Sequence, residues 1–307
     1  MNYKNIFLFG AGASHGCNGV NKLPPLGTQL FDCLKKEFPL TWGKLPGQLN
    51  NAFNTINNFE YGMSKLWEDN TSEMLPLKSN LLQDMGIYFS RFDILDPSAN
   101  LYVKLIKNVI KKEQLNKTLF STINYECLME IAFQKAGVGF NIFEISEYER
   151  IKLLKLHGSC NFALQGVYIG TNAYIGSNAV VGKGPAFTIK ALHPSKMSEY
   201  FVGKTSLYPV MAIYVKNKPI QLAQDIINNV VKIWQEQILA AENIFVIGVS
   251  PNMEDKHIWD FISQTEAKVF YCGGEKGFED WESNIKRKDS YLSETFDTAV
   301  DRILEIL

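Results

Sequence analysis

Residues 6–14 read Ile-Phe-Leu-Phe-Gly-Ala-Gly-Ala-Ser, an apolar run that passes straight into a turn built on Gly10 and Gly12. A short continuous apolar run closed by glycine predicts a strand buried on both faces. The glycines let backbone approach closely at the strand's end, and a strand, glycine turn and helix in that order open a parallel α/β unit. The pattern is neither the full G-x-G-x-x-G fingerprint nor a triphosphate loop, because no Gly-Lys-Ser/Thr follows. It reads as a strand rather than a secretory leader, since glycine breaks the apolar stretch within a few residues.

Outward from this strand the periodicity changes. Leu26, Leu30, Leu34 and Phe38 recur at helical spacing over 26–40. Residues 45–115 read as helical throughout and form an insertion. Phe53, Ile56, Met63, Leu66 and Trp67 make one stripe, and Leu81, Leu82, Met85, Tyr88, Phe89 and Phe92 a second. Asp96 and Pro97 then predict the start of a third helix that buries Tyr102, Leu105, Ile106, Val109 and Ile110. Strands are predicted at 117–123, 139–143, 151–156, 243–248 and 268–272. Helices are predicted at 126–136 (closed by Gly137), 219–241, 254–264 and from Ser293 to the end. Strands alternating with helices give a doubly wound parallel sheet. In 166–184, Ile169-Gly170, Ile175-Gly176 and Val181-Gly182 repeat every six residues. Three such hexads are too few to stack as a β-helix, so glycine-rich hairpins or a flexible segment are expected.

The 307 residues carry a net charge of -1 with no long basic run, which argues against a nucleic-acid partner. No apolar run reaches the roughly 20 residues that span a bilayer, so no membrane partner and a cytoplasmic location are expected. Cys17, Cys33, Cys127, Cys160 and Cys272 form no C-x-x-C pair. They read as reduced apolar thiols, with neither a disulfide framework nor a zinc site, and no metal is expected.

Three further segments bear on the glycine turn: Ser121-Thr122-Ile123-Asn124-Tyr125-Glu126-Cys127-Leu128 with Ala136-Gly137 behind it, Lys155-Leu156-His157-Gly158-Ser159, and Ile247-Gly248-Val249-Ser250 followed by Asp255. In these blocks the chain resembles the sirtuin family, which carries Gly-Ala-Gly-X-Ser, Thr-X-Asn-X-Asp, His-Gly and Gly-X-Ser in that order. The finer pattern is similar to the sirtuin-like NAD hydrolases of bacterial antiphage defence. The resemblance covers the nucleotide-binding core. It implies one sirtuin-like domain over 1–307 with a Rossmann-like core, interrupted by the helical insertion 45–115. NAD is implied as substrate, with nicotinamide and ADP-ribose as products. Asn124 and His157 are the implied catalytic pair. Gly10, Ala11, Gly12, Ser14, Thr122, Glu126, Gly248 and Ser250 are the implied NAD contacts. Glu275, after Cys272-Gly273-Gly274, stands where a doubly wound fold can grip an adenosine ribose. Control by a homo-oligomer or a separate sensor protein is implied too. Two departures stand out: Glu126 replaces the family's Asp, and 45–115 has no counterpart. An NAD-binding regulatory subunit and an NAD-dependent deacylase are the alternatives, the latter lacking its usual four-cysteine zinc module.

The chemistry asks for few groups. Cleavage of the nicotinamide–ribose bond passes through an oxocarbenium-like state. The leaving group is already a cationic pyridinium and needs no general acid. Gly10, Ala11, Gly12 and Ser14 are expected to present backbone N–H groups to a pyrophosphate at a helix start. Asn124 joins donor and acceptor on one short side chain for water and a ribose hydroxyl, and His157 can take a proton near neutrality. The plainer readings are a helix N-cap for Asn124, a turn histidine for His157 and a helix-start residue for Ser250. His15 lines the pocket or sits in a solvated loop, while His193 and His257 stand in no pattern. Trp67, Trp234 and Trp259 read as core. The two helical stripes hold more large apolar groups than one layer readily covers, which predicts an association surface.

Overall fold

The computed structural model describes residues 3–55, 59–68, 74–139, 148, 150–167, 174–176, 179–181, 187–201, 208–212, 224–251, 255–287 and 289–307. Its strands are β1 (Asn5–Phe9), β2 (Thr118–Thr122), β3 (Leu153–Lys155), β4 (Phe162–Val167), β5 (Tyr174–Gly176), β6 (Ala179–Val181), β7 (Phe187–Ala191), β8 (Asn243–Ile247), β9 (Lys268–Cys272) and β10 (Ser290–Ser293). Six of them form one parallel sheet in the order β10-β9-β8-β1-β2-β3. Chain order runs outward from β1 to β3 on one side and from β8 to β10 on the other. That is the doubly wound, Rossmann-like arrangement, and its switch point lies between β1 and β8.

Both faces of this sheet are buried, which is why its strands read as unbroken apolar runs rather than alternating ones. Phe7 pairs in register with Phe120 and Phe245, and Phe245 with Phe270. Their rings stack across four strands at centroid separations of 5.5, 4.6 and 5.0 Å. This aromatic face packs under helices Gly27–Glu37, Leu101–Lys111, Leu128–Lys135 and Phe296–Ile306. Ile6, Leu8, Leu119, Ile244, Val246, Val269 and Tyr271 point the other way, onto helices Gln224–Ala240, Lys256–Gln264 and Glu275–Ile285. Trp234 and Trp259 are buried in that second layer.

The segment 45–115 contains helices Gly47–Asn54, Phe59–Glu68, Met74–Phe89 and Leu101–Lys111. Phe53, Met63, Leu66, Trp67, Leu81, Leu82, Met85, Tyr88, Phe89 and Phe92 are all buried and continuous with the aromatic-face core. The stripes therefore close on the chain's own core, and the uncovered remainder expected from the sequence is missing among the described residues. Ile56 lies outside them. The third helix begins at Leu101, four residues later than expected, with Asn100 as its N-cap accepting from the Val103 N–H at 3.2 Å. Asp96 instead accepts from the backbone and hydroxyl of Ser98, a local turn that competes with a helix start. Ile110, expected inside, is exposed.

Gly137 closes the helix Leu128–Lys135 at a φ of 88°. The N–H groups of Val138 and Gly137 reach back to the carbonyls of Phe133 and Gln134, the paired bonds of a Schellman end. β10 was not expected from sequence. It is a short edge strand with an irregular register, and the last helix starts after it, at Phe296. Of 166–184, the described residues are 166–167, β5 and β6, and β5 pairs antiparallel with β6. The predicted strand at 139–143 and the start of the helix at 219–241 fall largely outside the described residues.

Candidate active site

The carboxyl ends of β1 and β8 meet at the switch point through glycine. The Gly10 N–H donates to the Ile247 carbonyl and the Gly12 N–H to the Gly248 carbonyl, each at 3.0 Å. Gly248 holds a φ of 66°, and a Cβ there would lie 2.0 Å from the Ala13 nitrogen. A Cβ on Gly10 would lie 2.5 Å from the Gly248 carbonyl oxygen. Glycine at 10 and 248 is thus a requirement of two turns pressed together. The amides of Gly10 and Gly12, expected above at a pyrophosphate, fasten the turn to the end of β8. Ala11 opens the short helix Ala11–His15 that follows.

Behind the turn lies a closed polar network. The Ser14 hydroxyl donates to Glu126 Oε1 at 2.6 Å, accepts from Asn124 Nδ2 at 3.0 Å and meets the Tyr102 hydroxyl at 2.8 Å. One donor and two acceptor sites are all a hydroxyl has, so Ser14 is saturated and Tyr102 is the donor to it. Burial pushes the Tyr102 phenol well up, with the Glu126 charge adding to the effect. Glu126 Oε2 accepts from the Leu128 N–H at 2.8 Å, so this carboxylate both caps the following helix and anchors Ser14. Glu126 is buried, and its extra methylene relative to Asp is taken up in that span.

Asn124 sits in front of this network. Its backbone N–H donates to Thr122 Oγ1 at 3.0 Å, and Thr122 Oγ1 in turn donates to the Phe9 carbonyl at 3.1 Å. Nδ2 of Asn124 donates to the Gly10 carbonyl at 2.9 Å as well as to Ser14. Both amide hydrogens are engaged. Asn124 is not a helix N-cap, since Glu126 and Cys127 occupy the helix start.

Lys155, the first residue of the Lys-Leu-His-Gly-Ser block, locks β3 to the same segment. Its Nζ donates to the Glu126 carbonyl at 2.6 Å and pairs with Glu130 Oε1 at 3.2 Å, both side chains almost fully buried. Burial is the largest single influence and opposes the charge of Lys155, but Glu130, Cys127, Glu126 and Cys160 together outweigh it and the ammonium is held well above its ordinary range. Burial raises Glu130, and Lys155 only partly offsets that. Cys127 and Cys160 lie beside this pair with their sulfurs 3.7 Å apart, and burial pushes the Cys127 thiol up. They are inert apolar thiols in this setting.

His157 follows β3. Gly158 has a φ of 73°, and a Cβ on it would lie 2.0 Å from the Val210 carbonyl oxygen, so the turn after His157 demands glycine. The segment Val210–Ala212 runs alongside: Ser159 N–H donates to Val210, and Ala212 N–H donates to the His157 carbonyl. The imidazole is buried, and its Nε2 faces Nε2 of His257 at 3.0 Å. Asp255, buried at the start of helix Lys256–Gln264, completes a group of three whose donor atoms all lie within 4.8 Å of one another. The sequence marked Asp255 only as part of a block and His257 as standing in no pattern; no local signal marks a histidine that meets its partner across 100 positions. It is the one cluster of metal-ligating type among the described residues.

The remaining candidates flank these groups. Ser250 is exposed just past Gly248, and Glu275 is exposed in the first turn of the helix after β9, beside Tyr291. His15 shares a hydrogen bond with the Pro24 carbonyl at 2.7 Å, and His193 begins a short turn by accepting from Ser195 N–H. The four sequence blocks thus converge at the carboxyl edge of β8, β1, β2 and β3. They form two groups, one around Asn124 and one around His157.

The chain matches no protein-family model and no curated protein. Among solved structures it is similar to a Sir2 homologue in complex with NAD: 13% identity, a TM-score of 0.43, and coverage of 98% of this chain and 88% of the other. A mutant Sir2 homologue in complex with ADP-ribose matches at 13% identity and a TM-score of 0.44, covering 98% of this chain and 90% of the other. The fold class rests on the strand order itself and not on these superpositions. No helix among the described residues is long and apolar enough to cross a membrane.

Proposed function

We propose that this chain hydrolyses NAD at the nicotinamide–ribose bond, releasing nicotinamide and ADP-ribose, and that it acts as a cytoplasmic antiphage effector by depleting NAD. The observation that supports this most is the convergence of Asn124, Ser14, the Gly10–Gly248 junction and His157 at the carboxyl edge of the sheet. These residues come from four separate segments, in the order that the sirtuin family carries them. The switch point of a doubly wound sheet is where such folds take a dinucleotide.

In this reading the pyrophosphate lies over the Gly10–Ser14 turn, with Ser250 and Glu275 toward the adenosine end. Asn124 Oδ1 accepts from a ribose hydroxyl or from the attacking water. As the C1′–N bond breaks, its electron pair passes to the pyridinium nitrogen and neutral nicotinamide leaves. Water adds to C1′, and His157 takes the proton that water loses. Uncontrolled NAD hydrolysis would kill the host, so control by self-association or by a separate sensor protein belongs to the proposal.

The test is incubation with NAD, alone and with co-expressed neighbouring gene products, followed by separation of the products. Nicotinamide and ADP-ribose in equal amounts, with no peptide present, are expected. Acetyl-ADP-ribose formed only with an acetylated peptide would replace this reading with a deacylase. NAD bound but uncleaved under all of these conditions would leave a regulatory NAD-binding subunit.

A further inference from the structure

We propose that His257 is a positioning residue for His157, fixing which ring nitrogen of His157 carries its proton. The consequence for turnover rests on the hydrolase reading above; the arrangement itself does not. Nε2 of His157 and Nε2 of His257 are 3.0 Å apart, their ring centroids 5.2 Å apart and their planes inclined at 38°. The centroid separation exceeds the nitrogen separation by about the reach of both rings, so the imidazoles meet end-on. Two Nε2–H groups head to head would repel, and two bare lone pairs would as well. One proton therefore lies between them, donated by one ring and accepted by the other. When His257 donates from Nε2, His157 must carry its own proton on Nδ1; when His257 accepts, His157 carries it on Nε2. A base role for His157 needs the second sense, in which His257 accepts, because only then does Nδ1 of His157 carry a lone pair.

The surroundings fix His257 in turn. Its carbonyl accepts from Gln235 Nε2 at 3.0 Å, and the Asp255 carbonyl takes the N–H groups of Ile258 and Trp259 at 2.8 and 3.0 Å. This pins the first turn of helix Lys256–Gln264 against helix Gln224–Ala240. A carboxylate oxygen of the buried Asp255 lies within 4.8 Å of one ring nitrogen of each histidine, so its negative charge offsets the positive charge the pair gains when His157 takes a proton. A metal ion is the rival reading of the same three residues. It requires the two lone pairs to converge on a point beside the line joining the nitrogens. End-on rings aim them at each other instead, which favours the shared proton.

The test uses the full chain and two substitutions, His257→Leu and His257→Gln, the latter able to place an amide oxygen, an acceptor, near the position of Nε2. Histidine ring nitrogen NMR signals should show one tautomer of His157 in the native protein and in His257→Gln, and a mixture in a folded His257→Leu. For NAD cleavage, His257→Leu should lower kcat by about 10-fold or more with KM unchanged, and His257→Gln should recover most of it. An unchanged tautomer and unchanged kcat in His257→Leu would overturn the proposal. Stoichiometric zinc bound by the native chain and lost in His257→Leu would also overturn it, in favour of a metal site. If the native chain leaves NAD intact, the hydrolase reading fails while the ring signals still decide the pairing.

Discussion

At the scale of the residue, Asn124 and His157 occupy different kinds of place. Asn124 is half-buried and fixed by both amide hydrogens, so Asn124→Ala removes a positioned amide. His157 is buried and held by its neighbour. Each alanine substitution should lower NAD turnover by about 100-fold or more. Asn124→Ala should leave the melting temperature close to native. Should the folded His157→Ala protein retain full turnover, its histidine is a turn residue and no more. Lys155 carries a different prediction. Lys155→Met strands the buried Glu130 carboxylate and should cost about 3–5 kcal/mol by urea unfolding. Adding Glu130→Leu should return much of that, because an apolar pair of similar size replaces ions that were costly to desolvate. A double variant no more stable than Lys155→Met would argue that the Lys155 bond to the Glu126 carbonyl, and not the ion pair, dominates. Asn124 and His157 stood out as candidates because each lies in a short block, Thr122-Ile123-Asn124 and His157-Gly158. Lys155 was visible in its block but without a role, and His257 had no local signal. Both act through partners distant in sequence, Glu126 and His157, which only folding brings near.

At the scale of the element, the junction of β1 and β8 leaves no room for a side chain at Gly248. Gly248→Ala forces an L-residue into the left-handed region, worth about 1–2 kcal/mol. It also drives a methyl carbon into the Ala13 nitrogen, which must move. The loss in stability should therefore exceed the strain alone, at about 2 kcal/mol or more, with NAD affinity falling in the same variant because the Gly10–Ser14 turn shifts. A stable Gly248→Ala protein with native NAD affinity would show that the two turns do not depend on each other. The glycine turn, β2, β8 and β9 were readable because strands buried on both faces leave unbroken apolar runs. The start of helix Leu101–Lys111 was misplaced because Asp96-Pro97 satisfies every local rule for a cap while Ser98 captures the Asp96 oxygen first. β10 escaped because an edge strand of four residues, Ser-Tyr-Leu-Ser, has too little pattern to mark it.

At the scale of the whole molecule, the sheet carries hydrophobic layers on both faces, and the helices of 45–115 belong to one of them. Their apolar stripes predicted an exposed surface only because sequence cannot show how much of a sheet a helical layer covers; Phe53, Met63 and Phe89 are buried within the chain. Polar groups sealed in that same layer give the molecule a pH signature. Burial pushes the phenols of Tyr102 and Tyr148 well up and raises the Cys17 thiol to about 11, while Glu130 and its neighbours Cys127, Glu126 and Cys160 together outweigh burial to hold the Lys155 ammonium high. All four groups keep protons in the folded chain that the unfolded chain releases, from about pH 9 for the thiol and about pH 10 for tyrosine and lysine. The folded state therefore binds more protons there, and stability falls as pH rises. Urea midpoints at constant ionic strength should drop progressively above pH 9, and ultraviolet titration should show tyrosine ionising later in the native chain than in urea. Tyr102→Phe should flatten the decline above pH 10 while lowering stability at neutrality through the lost bond to Ser14. A slope unchanged by Tyr102→Phe would mean that this phenol ionises as freely in the fold as in the open chain. The sealed network behind Asn124 would then have to admit water.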